Sequence, residues 1–226
     1  MSRKRDYIAE LLDKRSRAYL RKPRIKELQL KVYPLVEGFR KIKALDSGVS
    51  YRDEWLKYGA IGYVACMEFY VKRLVADLID RGEPFVSNAK SFDQVSFTAS
   101  SVIAIHSKKV SLGEFITHFL PVSSVSHVNS HLSKVLGVDD FFREMLLAPA
   151  SEWNTEPFGE VFPDAVSRAE ELFRLRHVYC HELGVKKKVP IRAIEDGISA
   201  FAGLIFQMEE VVSVSHLKEG SFWRRA

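Results

Sequence analysis

Arg176, His177 and His181 fall within six residues of one another, and Lys186, Lys187 and Lys188 follow at once. Arginine presents a fixed cationic fork, and histidine changes charge near neutral pH, so the cluster has the means for chemistry on an anionic substrate. His177 and His181 are four apart and share a helix face, a spacing that can also hold a metal. No Glu follows the first His as the zinc-protease helix requires, and no third ligand is evident, so no metal is expected here. His127 and His131 repeat the spacing, again without acidic or Cys partners at recognisable positions. A plainer account also stands: two histidines favoured by the dipole of a helix end, beside an arginine paired only for packing.

The cluster needs a helix to carry it, and Pro163 to Gly184 reads as one. Ala165, Ala169, Leu172, Arg176 and Tyr179 recur at steps of four and three, the spacing of a buried stripe, so Arg176 stands where an aliphatic residue is expected. Tyr179 reads as core. A second, longer helix is framed by Ser50 as N-cap, Asp53 and Glu54 in the first turn and Gly82 as the stop. Its stripe, Ile61, Val64, Glu68, Val71, Val75 and Leu78, is interrupted once, by Glu68. A buried carboxylate needs a partner, and the economical expectation is that Glu68 pairs with Arg176; the plainer alternative is that the stripe is only partly buried and Glu68 reaches water. His181 lies five residues beyond Arg176, a turn and a half, so one ideal helix aims the two differently. They converge only if the helix unwinds near Cys180 or if two copies meet.

The run LFRLRHVYCHELG resembles the signature of the HEPN (higher eukaryote and prokaryote nucleotide-binding) superfamily: an Arg, a polar residue, then a His four to six residues beyond the Arg, near a helix end. Arg176, His177 and His181 match in order and spacing. YGAIGYVACMEFYVKRLVADLI resembles the early long helix of such domains, and EVFPDAVSRAEELFRLRHVYCH resembles the run into the motif. The resemblance covers residues 50 to 82 and 160 to 215. It implies an α-helical bundle that dimerises and brings two motifs into one cleft. It further implies a metal-independent endoribonuclease without cofactors, of the kind found in toxin and phage-defence systems. His181 would then be general acid or base while the RNA 2′-hydroxyl attacks, a task suited to an unperturbed imidazole of pKa about 6.5. Arg176 would hold the scissile phosphate, oriented by Glu68. His177 would orient its neighbours or bond the phosphate, and Lys186, Lys187 and Lys188 would extend the phosphate track. Other members of the superfamily have lost catalysis and bind a nucleotide or a partner protein, and this is the alternative. RNA, a second copy and a neutralising or regulatory protein are the implied partners.

The rest of the chain supports an all-α class: one domain over 1–226, with an N-terminal helical hairpin (1–48), a HEPN-like core (50–82 and 160–215) and a central helical insertion (83–159). In the hairpin, Pro23 separates a charged segment over 3–21 from a helix over Arg24 to Leu45. In the insertion, Ser91 to Lys108 reads either as helix or as irregular packing. Ser111 and Glu114 have capping-box spacing before FITHFL, and short helices are expected over Ser124–Leu136 and Asp139–Leu147. Ala148 to Gly159 reads as a loop, and no strand alternation stands out. A last helix runs from Ile191 to about Ser215, with Ile194, Ile198, Phe201, Ile205, Met208 and Val212 on its apolar face. Gly197 and Gly203 within it would admit a close neighbour.

With 46% hydrophobic and 28% charged residues over 226 positions, long disorder is excluded and a sizeable core is possible. The net charge of +5 is compatible with a nucleic-acid partner without requiring one. Cys66 and Cys180 both lie in apolar helical patterns, which argues against a disulfide framework and for a reducing compartment. No secretion-signal core and no membrane-length apolar run occurs, so a cytoplasmic protein is expected.

Overall fold

The longest helix organises the fold. Leu56, Ala60, Tyr63, Val64, Met67, Tyr70, Val71, Leu74, Val75, Leu78 and Ile79 are all buried along it, and most of the longer helices pack on this apolar surface. The computed structural model describes residues 24–46, 51–92, 95–107, 109–151, 153–181 and 189–217. In chain order the helices are α1 (Arg24–Lys43), α2 (Arg52–Asp80), α3 (Phe85–Asn88), α4 (Ala99–His106), α5 (Leu112–Phe119), α6 (Val125–Leu136) and α7 (Phe141–Leu147). A hairpin of β1 (Pro149–Ser151) and β2 (Asn154–Pro157) follows, then α8 (Phe158–Val161), α9 (Ala165–His181) and α10 (Ile191–Leu217). The molecule is mostly helical, as the sequence pattern predicts. The expected segment over 3–21, the cap Ser50, Gly184 and Lys186 to Lys188 lie outside the described residues.

Local signals set most of the boundaries. Gly82 adopts φ of +100° just past α2, a conformation that glycine enters without Cβ strain. Both bonds of the Ser111–Glu114 capping box form at the start of α5. The hydroxyl of Ser124 accepts from the His127 amide at the start of α6, and the Asp140 carboxylate accepts from the Arg143 amide at the start of α7. The ambiguous stretch before α5 resolves into α4, capped by Thr98, whose side chain accepts from the Ser101 amide.

One expectation is corrected. The segment expected as a loop over 148–159 holds an antiparallel hairpin, with Pro149 opposite Pro157 and Ser151 opposite Asn154, followed by one turn of helix. Its strands span three and four residues, too few for period-two alternation to register. Packing rather than strand propensity holds it: the fully buried Gln207 of α10 donates to the Pro149 carbonyl at 3.0 Å.

Two ion-pair groups fix the helix directions. Arg24 at the start of α1 grips both oxygens of Glu209 on α10 at 2.6 Å, and the Tyr70 hydroxyl of α2 donates to Glu209 at 3.0 Å. Burial opposes the charge on Arg24, but the bonded Glu209 carboxylate, helped by Tyr70 and Asp77, outweighs it and raises its pKa. Burial together with Glu209 holds the Tyr70 phenol far above its ordinary value. At the other end Lys43, the last residue of α1, pairs with Glu195 near the start of α10. α10 therefore runs parallel to α2, and α9, joined to α10 in sequence and packed beside it, runs antiparallel to both. Gly197 makes the α9–α10 approach possible, since a Cβ there would stand 2.9 Å from the Leu172 Cβ. Gly203 is not needed in this way; its nearest neighbour would be Phe158 at 3.7 Å.

Candidate functional site

Arg176 and Glu68 are the two charges that interrupt apolar stripes, and they meet. The guanidinium Nη2 lies 3.6 Å from the Glu68 Oε1, with the side chains 29% and 28% exposed. The rest of each stripe is buried as expected: Val64, Val71, Val75 and Leu78 on α2, and Ala165, Ala169, Leu172 and Tyr179 on α9. Ile61 is half-buried. The pair thus sits at the rim of the core, partly shielded from water yet open enough for the guanidinium to meet a ligand.

The histidines do not join the pair. α9 remains helical through His181, so the unwinding near Cys180 that would swing this ring towards Arg176 does not occur. At about 100° per residue, His181 lies roughly 140° around the helix from Arg176. His177 and His181 are both exposed and face one another, with ring centroids 4.6 Å apart. The described residues of one chain bring Glu68 to Arg176 and His177 to His181 as two separate couples. Lys186, Lys187 and Lys188, expected to extend a phosphate track, are outside the described residues.

Tyr179 packs as core, 7% exposed, yet its buried hydroxyl has no hydrogen-bond partner among the described residues. Burial raises its pKa first, with Glu171 and Asp53 adding and Arg174 opposing. The influence of Asp53, from the first turn of α2, agrees with the antiparallel arrangement. The C-terminal end of α9 and the N-terminal end of α2 share one end of the bundle.

That end carries a feature the chemistry-led reading missed. Tyr51, Trp55 and Tyr58, at steps of four and three, stand 53%, 56% and 56% exposed, with the Trp55 and Tyr58 rings 5.9 Å apart. Ala65 continues the open face of α2 towards Glu68. The signal was present in the spacing, but aromatic residues at helical spacing ordinarily mean core. Here they are not covered.

The other two histidine positions are occupied differently. The Nε2 of His131 lies 2.7 Å from the Pro121 carbonyl, and the Nδ1 of His127 lies 3.1 Å from the Ser123 hydroxyl, with the two rings stacked at 6.0 Å. Cys66 is buried and its thiol pushed up by that burial, while Cys180 is half-buried on α9. Among the described residues, no helix is long and apolar enough to cross a membrane.

No family model, curated protein or solved structure matches this chain. Function has to be argued from the site.

Proposed function

We propose that the chain is a metal-independent endoribonuclease of HEPN type whose active site is completed by a second copy of itself. The observation that carries this reading is the partly exposed Arg176–Glu68 pair at the rim of the core. A packing-only pair has no need of an accessible guanidinium, whereas a phosphate-binding one does. The exposed aromatic face nearer the start of the same helix, about 15–25 Å along α2 from Glu68, offers a surface for the second copy. In the composite cleft, Arg176 held by Glu68 binds the scissile phosphate, and His181 of the facing copy moves the proton. The RNA 2′-oxygen attacks phosphorus, the bond to the 5′-oxygen breaks, and that oxygen leaves with a proton, giving a 2′,3′-cyclic phosphate. His177, whose ring faces that of His181, orients it, and Lys186 to Lys188 extend the grip on the RNA backbone. Such an enzyme calls for a neutralising or activating protein, in keeping with a toxin or phage-defence role.

The separation of the two couples also favours a second reading, a catalytically inactive module of the same superfamily that binds a nucleotide or partner protein. One experiment separates them. Purified protein is incubated with total RNA in EDTA, alongside Arg176→Ala and His181→Ala and an equal mixture of the two. The nuclease reading expects cleavage by wild type, cyclic phosphate ends, and none with either variant. The mixture regains roughly a quarter of the activity, since half the dimers are mixed and each has one intact site. Absence of cleavage by a folded wild type overturns the nuclease in favour of the binding module. Activity in neither single variant nor mixture overturns the shared site alone.

A further inference from the structure

The β1–β2 hairpin presents Trp153 at its tip, 93% exposed, the most uncovered large apolar side chain among the described residues. The hairpin itself is firmly held. The Ser151 hydroxyl accepts from the Trp153 and Asn154 amides at 3.2 and 3.0 Å, the Phe158 amide donates to the Ala148 carbonyl at 2.8 Å, and Gln207 grips Pro149 from beneath. Three more apolar side chains stand open on the elements that carry it: Leu147, Phe162, and Phe206 beside the anchoring Gln207. An indole left open on a hairpin anchored at its base contributes little to the fold among the described residues. Tryptophan is also the residue most often found as the anchor of a binding surface.

Charge indicates what that anchor receives. Between Arg143 and Arg168 the chain has no Lys, Arg or His, but it has Glu144, Glu152, Glu156, Glu160 and Asp164. This stands out in a chain of net charge +5. Glu156 follows Trp153 on β2, and Glu160 lies on the turn of helix after it, both exposed. An open indole at the tip of an acidic segment suits an extended chain of guanidinium or ammonium groups, one stacking over the ring while its neighbours pair with the carboxylates further along. The same charges repel RNA. We propose that this hairpin is a docking surface for an extended, arginine- or lysine-rich segment of a protein partner. It lies at the N-terminal end of α9, about 25 Å of helix from His181, and it does not depend on the nuclease reading.

The test uses the full chain and a fluorescein-labelled arginine–glycine repeat peptide, followed by fluorescence anisotropy. A glutamate–glycine repeat and a single-stranded RNA oligomer serve as the other probes. The arginine peptide is expected to bind wild type, about thirtyfold more weakly to Trp153→Ala, and about fivefold more weakly to Glu156→Gln/Glu160→Gln. Raising the salt concentration weakens the wild-type complex. All three substituted side chains are exposed, so unchanged circular dichroism and melting confirm that the fold is intact. Equal binding of the arginine peptide to wild type and Trp153→Ala overturns the proposal. So does RNA binding that falls in Trp153→Ala, which would make the surface a nucleic-acid contact. Self-association of the wild type that Trp153→Ala abolishes would replace the basic partner with a second copy.

Discussion

Replacing Glu68 by Gln keeps the shape of the side chain and removes the charge that faces Arg176, and the cost can be worked from the geometry. At 3.6 Å, two unit charges attract by about 1.2 kcal/mol in water and about 4.6 kcal/mol at an effective dielectric of 20. Both side chains are under a third exposed, so the larger figure is closer to the gross attraction. Desolvation and lost rotamer freedom then cancel most of it, leaving a net coupling of about 1 kcal/mol. The measurement is a double-mutant cycle in urea with Glu68→Gln, Arg176→Gln and the double variant. Each single variant is expected to lose more than the double variant would suggest by addition, with a coupling of about 1 kcal/mol that shrinks in high salt. Glu68→Gln alone should melt about 2–4 °C lower. Additivity to within about 0.3 kcal/mol, independent of salt, refutes the pairing as an energetic interaction. Coupling that is present while RNA cleavage is untouched by Glu68→Gln would leave the pair a packing device only.

Two further predictions concern packing and pH. A Cβ on Gly113 would overlap the Ala76 backbone where α5 crosses α2, so Gly113→Ala should cost about 1–3 kcal/mol in urea. Gly203→Ala has room and should gain up to about 1 kcal/mol, which makes it a control for the same series. His131 is held below the ordinary histidine value, chiefly by burial, with His127, Lys134 and Lys72 adding and the Pro121 carbonyl opposing. Its Nε2–H donates to that carbonyl and its buried Nδ1 has no partner among the described residues, so the fold prefers the neutral ring. The unfolded chain then binds the proton more readily: the contribution is full above about pH 6.5 and is lost as pH falls below it. Wild type should lose stability over that window by more than His131→Gln does. Parallel slopes would show that His131 is not the cause.

Much of this architecture could be read before any coordinates, and the reasons are local. Ser111–Glu114, Ser124 and Asp140 announce helix starts because each orphaned amide in the first turn needs an acceptor close in sequence. Glu68 and Arg176 were legible because a single charge on an apolar stripe has few places to go. The divergence of Arg176 and His181 followed from helical pitch alone, and α9 keeps that pitch through His181. The hairpin was not legible, because it depends on Gln207, 58 residues beyond Pro149 on α10. Nor was the open face of Tyr51, Trp55 and Tyr58, since spacing says which residues share a side but not whether anything covers it.

The fork of Arg24 on Glu209 joins positions 185 residues apart. At a synthesis rate of about 5–20 residues per second, that is roughly 10–40 s during which Arg24 has been made and Glu209 has not. For the last part of that interval, roughly 2–7 s after Leu172 and Phe173 on the helix that bears Arg176 have been made, the apolar surfaces that α10 will cover stay open. α10 therefore acts as a timing element: the contacts that hold the scaffold of the candidate site together form only after α10 itself has been made.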